Sequence, residues 1–257
     1  MAAEDGRDPQ YLLDLLWRTR AAGTRGPRGS LSVDQVVGEA VRIADAEGVG
    51  AVSMRRIAQA LGVTTMTLYR YVPSKDDLLD LMFHMGSGPP DTTDWPADWR
   101  GALRCWGRQM REMVVGRPWM LDIPIGAPPF GPNNLAWMEA ALAAMDETPL
   151  NEGDMMEVLM ILTSFVLGST RQEVSMTRAS ERTGVSYEEW GRAYGRMLPK
   201  IMGDGRYPTL AKVTATGVFE NENSPADDFD QSLEFLLNSV AALIRRREDE
   251  AGGEAAD

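Results

Sequence analysis

Between Ser32 and Met85, helix starts and stops follow one another so closely that only short helices fit between them. Ser32 and Gln35 form an S-x-x-Q capping box. Val33, Val36, Val37, Ala40, Val41 and Ala44 then recur at helical spacing until Gly48 ends the helix. Ser53 caps a second helix, with Ile57, Ala58 and Leu61 on its inner face and Gly62 as its stop. A third, short helix is expected from Thr65 to Val72, closed by Pro73. Ser74 and Asp77 open a fourth, which carries Leu78, Leu79, Leu81, Met82 and Met85 and ends at Gly86-Ser87-Gly88-Pro89-Pro90.

The remainder reads as longer helices near 95–116, 133–145, 152–173, 186–202 and 227–248, with a short amphipathic helix over 11–20 and no sustained strand alternation. An acidic, small-residue tail over 249–257 is expected to be disordered. The expected fold is all-α: an N-terminal three-helix helix-turn-helix domain followed by a larger helical ligand-binding and dimerisation domain. The expected divisions are 1–30, an extension with a basic arm; 31–77, the helix-turn-helix domain; 78–248, the regulatory and dimerisation domain; and the tail.

Apolar residues make up 44% of the 257, enough for a sizeable core. No apolar run approaches the roughly 20 residues of a membrane-spanning helix, and no signal-peptide pattern opens the chain, so a cytoplasmic protein with no membrane partner is expected. The net charge of -12 is unevenly spread. Residues 15–75 carry nine cations against four acids, so a basic head is joined to an acidic body. That asymmetry suits an encounter with nucleic acid by the head alone.

One cysteine, Cys105, and one histidine, His84, exclude an intrachain disulfide and thiolate-rich zinc sites, and no metal or cofactor is expected. Neither a P-loop nor a GxSxG or HExxH pattern is present, and no carboxylate pair stands out from a solvated acidic face, so an enzyme is not expected.

The stretch Ser53–Lys75, SMRRIAQALGVTTMTLYRYVPSK, brings two helices together at Gly62-Val63-Thr64, the spacing of a helix-turn-helix. Ala58, Leu61, Val63 and Leu68 are placed to pack between them. Thr65, Met66, Thr67, Tyr69, Arg70 and Tyr71 are left on the outer face, where a DNA major groove admits one helix. Arg70 suits a guanine edge, while Met66 and the methyl groups of Thr65 and Thr67 suit thymine methyls. Tyr69, Tyr71 and Lys75 suit phosphates, and Arg55 suits either a base edge or a phosphate. The plainer alternative is a solvated face and turn within an ordinary bundle. Arg25 and Arg28, in the Gly/Pro/Arg segment before Ser32, suit minor-groove contact, or equally a solvated linker.

Residues 31–79 closely resemble the DNA-binding domain of the tetracycline-repressor (TetR) family. The resemblance is carried by A-x-x-L-G-V at Ala58–Val63, T-L-Y at Thr67–Tyr69 and K-x-x-L-L at Lys75–Leu79. It departs at Arg70 and Tyr71, where the family often has an aromatic followed by His, so an operator sequence does not transfer. More loosely, LTSFVLGSTRQE, YPTLAKV and DDFDQSLEFLLNSVAALI resemble a TetR-type C-terminal domain.

The resemblance implies a regulator that binds a double-stranded DNA operator, and DNA contacts from Arg55, Thr65, Met66, Thr67, Tyr69, Arg70, Tyr71 and Lys75. It also implies a homodimer through helices near 151–173 and 227–247, and a small-molecule effector. Gly168 and Ser169 would allow close helix approach in the dimer; the alternative is that these apolar faces are intramolecular core. The Met- and Trp-rich middle helices suggest a pocket lined by Trp106, Met110, Met138, Met160 and Phe165 for a mostly apolar ligand. For any one of these residues, ordinary core is the competing reading. A TetR-like regulator without a ligand, or a helical protein-interaction module, are the alternative functions.

Overall fold

The computed structural model describes residues 9–18, 31–124, 130–202, 205–218 and 224–254. Among these residues the regular structure is helical throughout, with eleven α-helices: α1 (Pro9–Trp17), α2 (Val33–Glu47), α3 (Met54–Ala60), α4 (Thr65–Tyr69), α5 (Lys75–Ser87), α6 (Trp99–Gly116), α7 (Pro132–Met145), α8 (Glu152–Thr183), α9 (Tyr187–Ile201), α10 (Pro208–Thr214) and α11 (Pro225–Glu254). Short 3-10 turns at Val49–Ala51 and Pro118–Asp122 complete the set.

Local chemistry sets the head. Ser32 and Gln35 exchange both capping hydrogen bonds, and the Ser53 and Ser74 hydroxyls accept from Arg56 N and Asp77 N. Gly62 turns the chain between α3 and α4 at φ 68°, a left-handed conformation that a Cβ disfavours. The Val63 amide then donates to Ala58 O at 2.9 Å. Val36, Val37, Ile57, Leu68, Leu78 and Met82 are fully buried behind this frame.

A second apolar cluster fills the body, where α6, α7, α8 and α11 meet around Leu103, Trp106, Leu162, Leu233 and Leu237. Met113 packs against both clusters. Arginines on α6 bind α11 along one side: Arg100 and Arg104 reach Glu234, and Arg108 reaches Asp230 at 2.8 Å. The hydrogen bond from Arg104, opposed by partial burial and reinforced by Arg100, holds the Glu234 carboxyl down at about 2.

Several boundaries differ from the sequence expectation. α8 runs well past 173, because its polar second half contains no stop before Gly184, which takes φ 70° and caps Ser180 O. α11 continues through the expected disordered tail as far as Glu254; Arg247 bridges Glu250 at 2.7 Å and Asp154 at 2.7 Å, which favours an ordered last stretch. α4 is shorter than expected and finishes in a turn, with Tyr71 N donating to Leu68 O at 2.8 Å. α10, opened by Pro208, was not expected as a helix. By length and composition α8 is apolar enough to cross a membrane, its best window having a mean hydropathy of 1.2. Leu159, Leu162 and Val166 of that window are instead core residues of the body.

Candidate DNA-binding face and ligand cavity

On the head, α4 stands outward on one buried anchor, Leu68, which is 0% exposed. Met66 is 74% exposed and Tyr69 44%. Arg55, Arg70 and Lys75 are exposed beside them, Thr65 and Thr67 are half-exposed, and Tyr71 is partly buried against the head core. The Thr64 hydroxyl accepts from Thr67 N at 3.2 Å and lies 2.9 Å from the Thr67 hydroxyl, which fixes the first turn. Arg56 is a different case from Arg55, since its guanidinium is paired with Glu47 of α2. One outer face therefore presents hydroxyls, an aromatic ring and cations that have no acidic partner among the described residues, on a two-helix support. Arg25 and Arg28 lie outside the described residues. Arg18, at the start of that basic segment, folds back at φ 54° to pair with Asp34.

In the body a cavity of about 490 Å³ opens between α5, α6, α7, α8 and the 3-10 turn at Pro118–Asp122. Trp106, Met110 and Met138 are on its wall. Met160 is not: it is 57% exposed on the outer side of α8, because Leu159 and Thr163, one helical turn apart, take the inward positions beside it. Phe165 also faces elsewhere, stacked on Phe229 of α11 at 5.3 Å within the body core. Sequence reasoning passed over Phe83, Met120, Trp137, Thr163 and Arg171 as wall residues. For Met120 and Trp137 the Met/Trp enrichment was a usable signal; for Phe83, Thr163 and Arg171 only tertiary placement decides.

The apolar wall is held in place. Trp106 and Trp137 meet edge to face at 6.1 Å between ring centroids. Each indole N–H is satisfied, Trp106 by Trp137 O and Trp137 by Gly88 O, both at 2.9 Å.

The cavity and the head share one segment. Met120, Leu121, Asp122 and Ile123 line the cavity, while Trp119, just before them, donates from Nε1 to Asp45 of α2 at 2.7 Å. Arg117 donates to Gly86 O of α5 at 2.8 Å. A Cβ on Gly86 would lie 2.8 Å from the Trp119 ring, so the ring rests directly on α5 backbone. From the other side, Trp17 of α1 donates to Phe130 O at 3.0 Å, just ahead of α7.

His84 lies on α5 near this seam. Burial, then the Arg18 charge, push its pKa below the ordinary histidine range, against a hydrogen bond with Asn134. Cys105 is half-buried, and no cluster of three His, Cys, Asp or Glu residues that could hold a metal occurs among the described residues.

The family pattern described as bacterial regulatory proteins, tetR family, matches residues 37–82, and that described as tetracyclin repressor-like, C-terminal domain, matches residues 92–244. The chain belongs to the TetR family. As a TetR-family protein it is a transcription regulator that binds DNA through the helix-turn-helix of α3 and α4.

The HTH-type transcriptional repressor DrrR1 of Streptomyces coeruleorubidus is 35% identical to this TetR protein over 247 residues, 93% of this chain and 88% of the relative. Among solved structures, the TetR-family protein ActR of Streptomyces coelicolor in complex with actinorhodin is 25% identical with a TM-score of 0.69, covering 84% of this chain and 98% of ActR. ActR in complex with (S)-DNPA, also 25% identical, gives a TM-score of 0.68 over 82% of this chain and 98% of ActR.

Proposed function

We propose that the protein is a repressor whose homodimer holds a palindromic operator and releases it when a small, mostly apolar molecule enters the body cavity. The observation that carries this reading is the shared segment Arg117–Ile123, whose one side lines the cavity and whose other side is bonded to α2 and α5 of the head. A ligand that fits better when this segment has shifted draws the head with it. It moves the equilibrium only by its difference in affinity between the two arrangements. Ligand-bound ActR supports the same assignment by likeness.

In this reading Arg70 and Arg55 reach base edges, Met66, Thr65 and Thr67 meet thymine methyls, and Tyr69, Tyr71 and Lys75 fix phosphates. Arg25 and Arg28 extend the contact into the neighbouring minor groove. Trp106, Met110 and Met138 touch the ligand. The dimer forms through the outer faces of α8 and α11. Support comes from Met156, Met160, Ser164 and Gly168, which recur every fourth residue on the exposed side of α8, and from Phe235, which is 74% exposed on α11. The place of action is the cytoplasm, with the DNA.

Selection of bound fragments from genomic DNA tests the reading. Two inverted half-sites about 34–36 Å apart, centre to centre, are expected. Recovery of fragments with no shared symmetry, or binding that does not weaken as salt is raised, would overturn it.

A further inference from the structure

The arginines on or paired with α8 and at the Pro118–Asp122 turn differ in one respect. Arg111 holds Glu173 at 2.6 Å, Arg178 holds Asp122 at 2.8 Å and Arg117 holds Asp45 at 3.3 Å. Arg171 lines the cavity from α8, on the same helical face as Thr163 and Leu167, and has no carboxylate partner among the described residues. Its one polar contact among the described residues is Nη2 donating to Leu121 O at 2.9 Å, which turns the guanidinium toward the cavity wall and leaves its other N–H groups without a protein partner among those residues.

Asp122 is the one acid on that wall, and both its oxygens are taken by Arg178, at 2.8 and 3.1 Å. Among the described residues, the rim therefore carries one uncompensated positive charge above an aromatic and thioether interior. Within, the hydroxyl protons of Ser87 and Thr163 are donated to the helix carbonyls of His84 and Leu159, both at 2.8 Å. These hydroxyls can only accept from a ligand.

We propose that the effector is an aromatic acid, with its ring system between Trp106, Trp137 and Phe83 and its anionic group on Arg171. This rests on the cavity being the effector site. A planar guanidinium with free donors meets a carboxylate or sulfonate with paired, charge-assisted hydrogen bonds. The Met110, Met113 and Met120 thioethers adapt to flat rings. The volume falls within the range of about 300–1,000 Å³ found for small-molecule sites.

Two fluorogenic probes sharing one ring system test the charge: 1-anilinonaphthalene-8-sulfonate, an anion, and N-phenyl-1-naphthylamine, the same frame without the sulfonate. Both are titrated into the full-length protein. The anion is expected to bind roughly tenfold more tightly or better, the factor of one charge-assisted hydrogen bond. Arg171→Gln should erase that preference and leave the neutral probe unchanged.

Equal affinities in the native protein, or a preference that survives Arg171→Gln, would overturn the anionic assignment while leaving the cavity as a ligand site. Thr163→Trp, which fills the cavity, should abolish both signals. Met138→Trp serves the same purpose if the first variant loses its helical circular dichroism. Probe signals that persist in a folded, filled variant, or the absence of binding to the native protein, would overturn the effector-site reading and the anionic assignment together.

Discussion

Met66 on α4 and Met120 on the cavity wall are the same side chain in opposite settings, one 74% and the other 3% exposed. The α4 face is convex. Each residue there points outward because its neighbours three and four positions away are tied to a core behind it, so a few local contacts define the surface. The cavity is concave, and its wall is assembled from four helices and a 3-10 turn distant in sequence. The difference teaches that the two surfaces fail differently. The DNA-binding face is lost when its support melts, whereas the cavity is lost when any of several elements moves.

The sharpest break of that contrast is Leu68→Ala. Leu68 is fully buried under α4, and its truncation is expected to cost about 2–5 kcal/mol. Denaturant unfolding should report the loss, and DNA binding should fall while the cavity still takes up a probe. If both functions vanished together, the head and body would not be separable in the way the contrast requires.

Gly86→Ala tests the seam between them. The added methyl would meet the Trp119 ring at 2.8 Å, so the ring or the helix must shift, at an expected cost of about 1–3 kcal/mol. Operator affinity, measured by fluorescence anisotropy, should change although no DNA-facing residue has been altered. An unchanged affinity would mean that the head does not sense this contact.

On the convex face itself, Arg70→Ala is expected to remove about 1–3 kcal/mol of operator preference over random DNA. Lys75→Ala should weaken all sequences alike and reduce the salt slope by about 1. Competition binding at several salt concentrations separates the two. Equal losses on specific and random DNA for Arg70→Ala would remove its base-reading role.

The smallest effect belongs to neither surface. Glu234 is held at about 2, below its ordinary 4.5, by Arg104 and Arg100. Its contribution is complete above about 4.5 and disappears as the pH falls toward 2. Because the side chain is 36% exposed, solvent screening keeps this within about 0–1 kcal/mol. Thermal melts of Glu234→Gln and the native chain should differ slightly at neutral pH and converge near pH 2.

The same contrast explains what could be read from the chain. The head was legible because capping is local: Ser32, Ser53 and Ser74 each announce a helix within three residues, and Gly62 announces the turn. The body was legible as helices, but the inward phase of α8 was not. Met155, Met156, Val158, Leu159, Met160, Ile161 and Leu162 are apolar around most of the helix, so spacing alone cannot say that Leu159 faces the cavity and Met160 the outside. Phe165 was misplaced for the same reason. The segment Arg117–Ile123 carries no periodicity at all. Its importance comes from contacts with Asp45 and Gly86, which lie far away in sequence.

The flush seating of the Trp119 ring on bare backbone at Gly86 also has a mechanical consequence. A flexible side chain between two elements acts as a cushion, because it can change rotamer and absorb a small displacement. Here the nearest group to Gly86 is the Trp119 ring itself, with the Met120 sulfur a little farther off. The indole is held by Asp45, and the glycine has no side chain to rotate. A displacement of the turn at this contact is met by helix backbone rather than by a rotatable side chain.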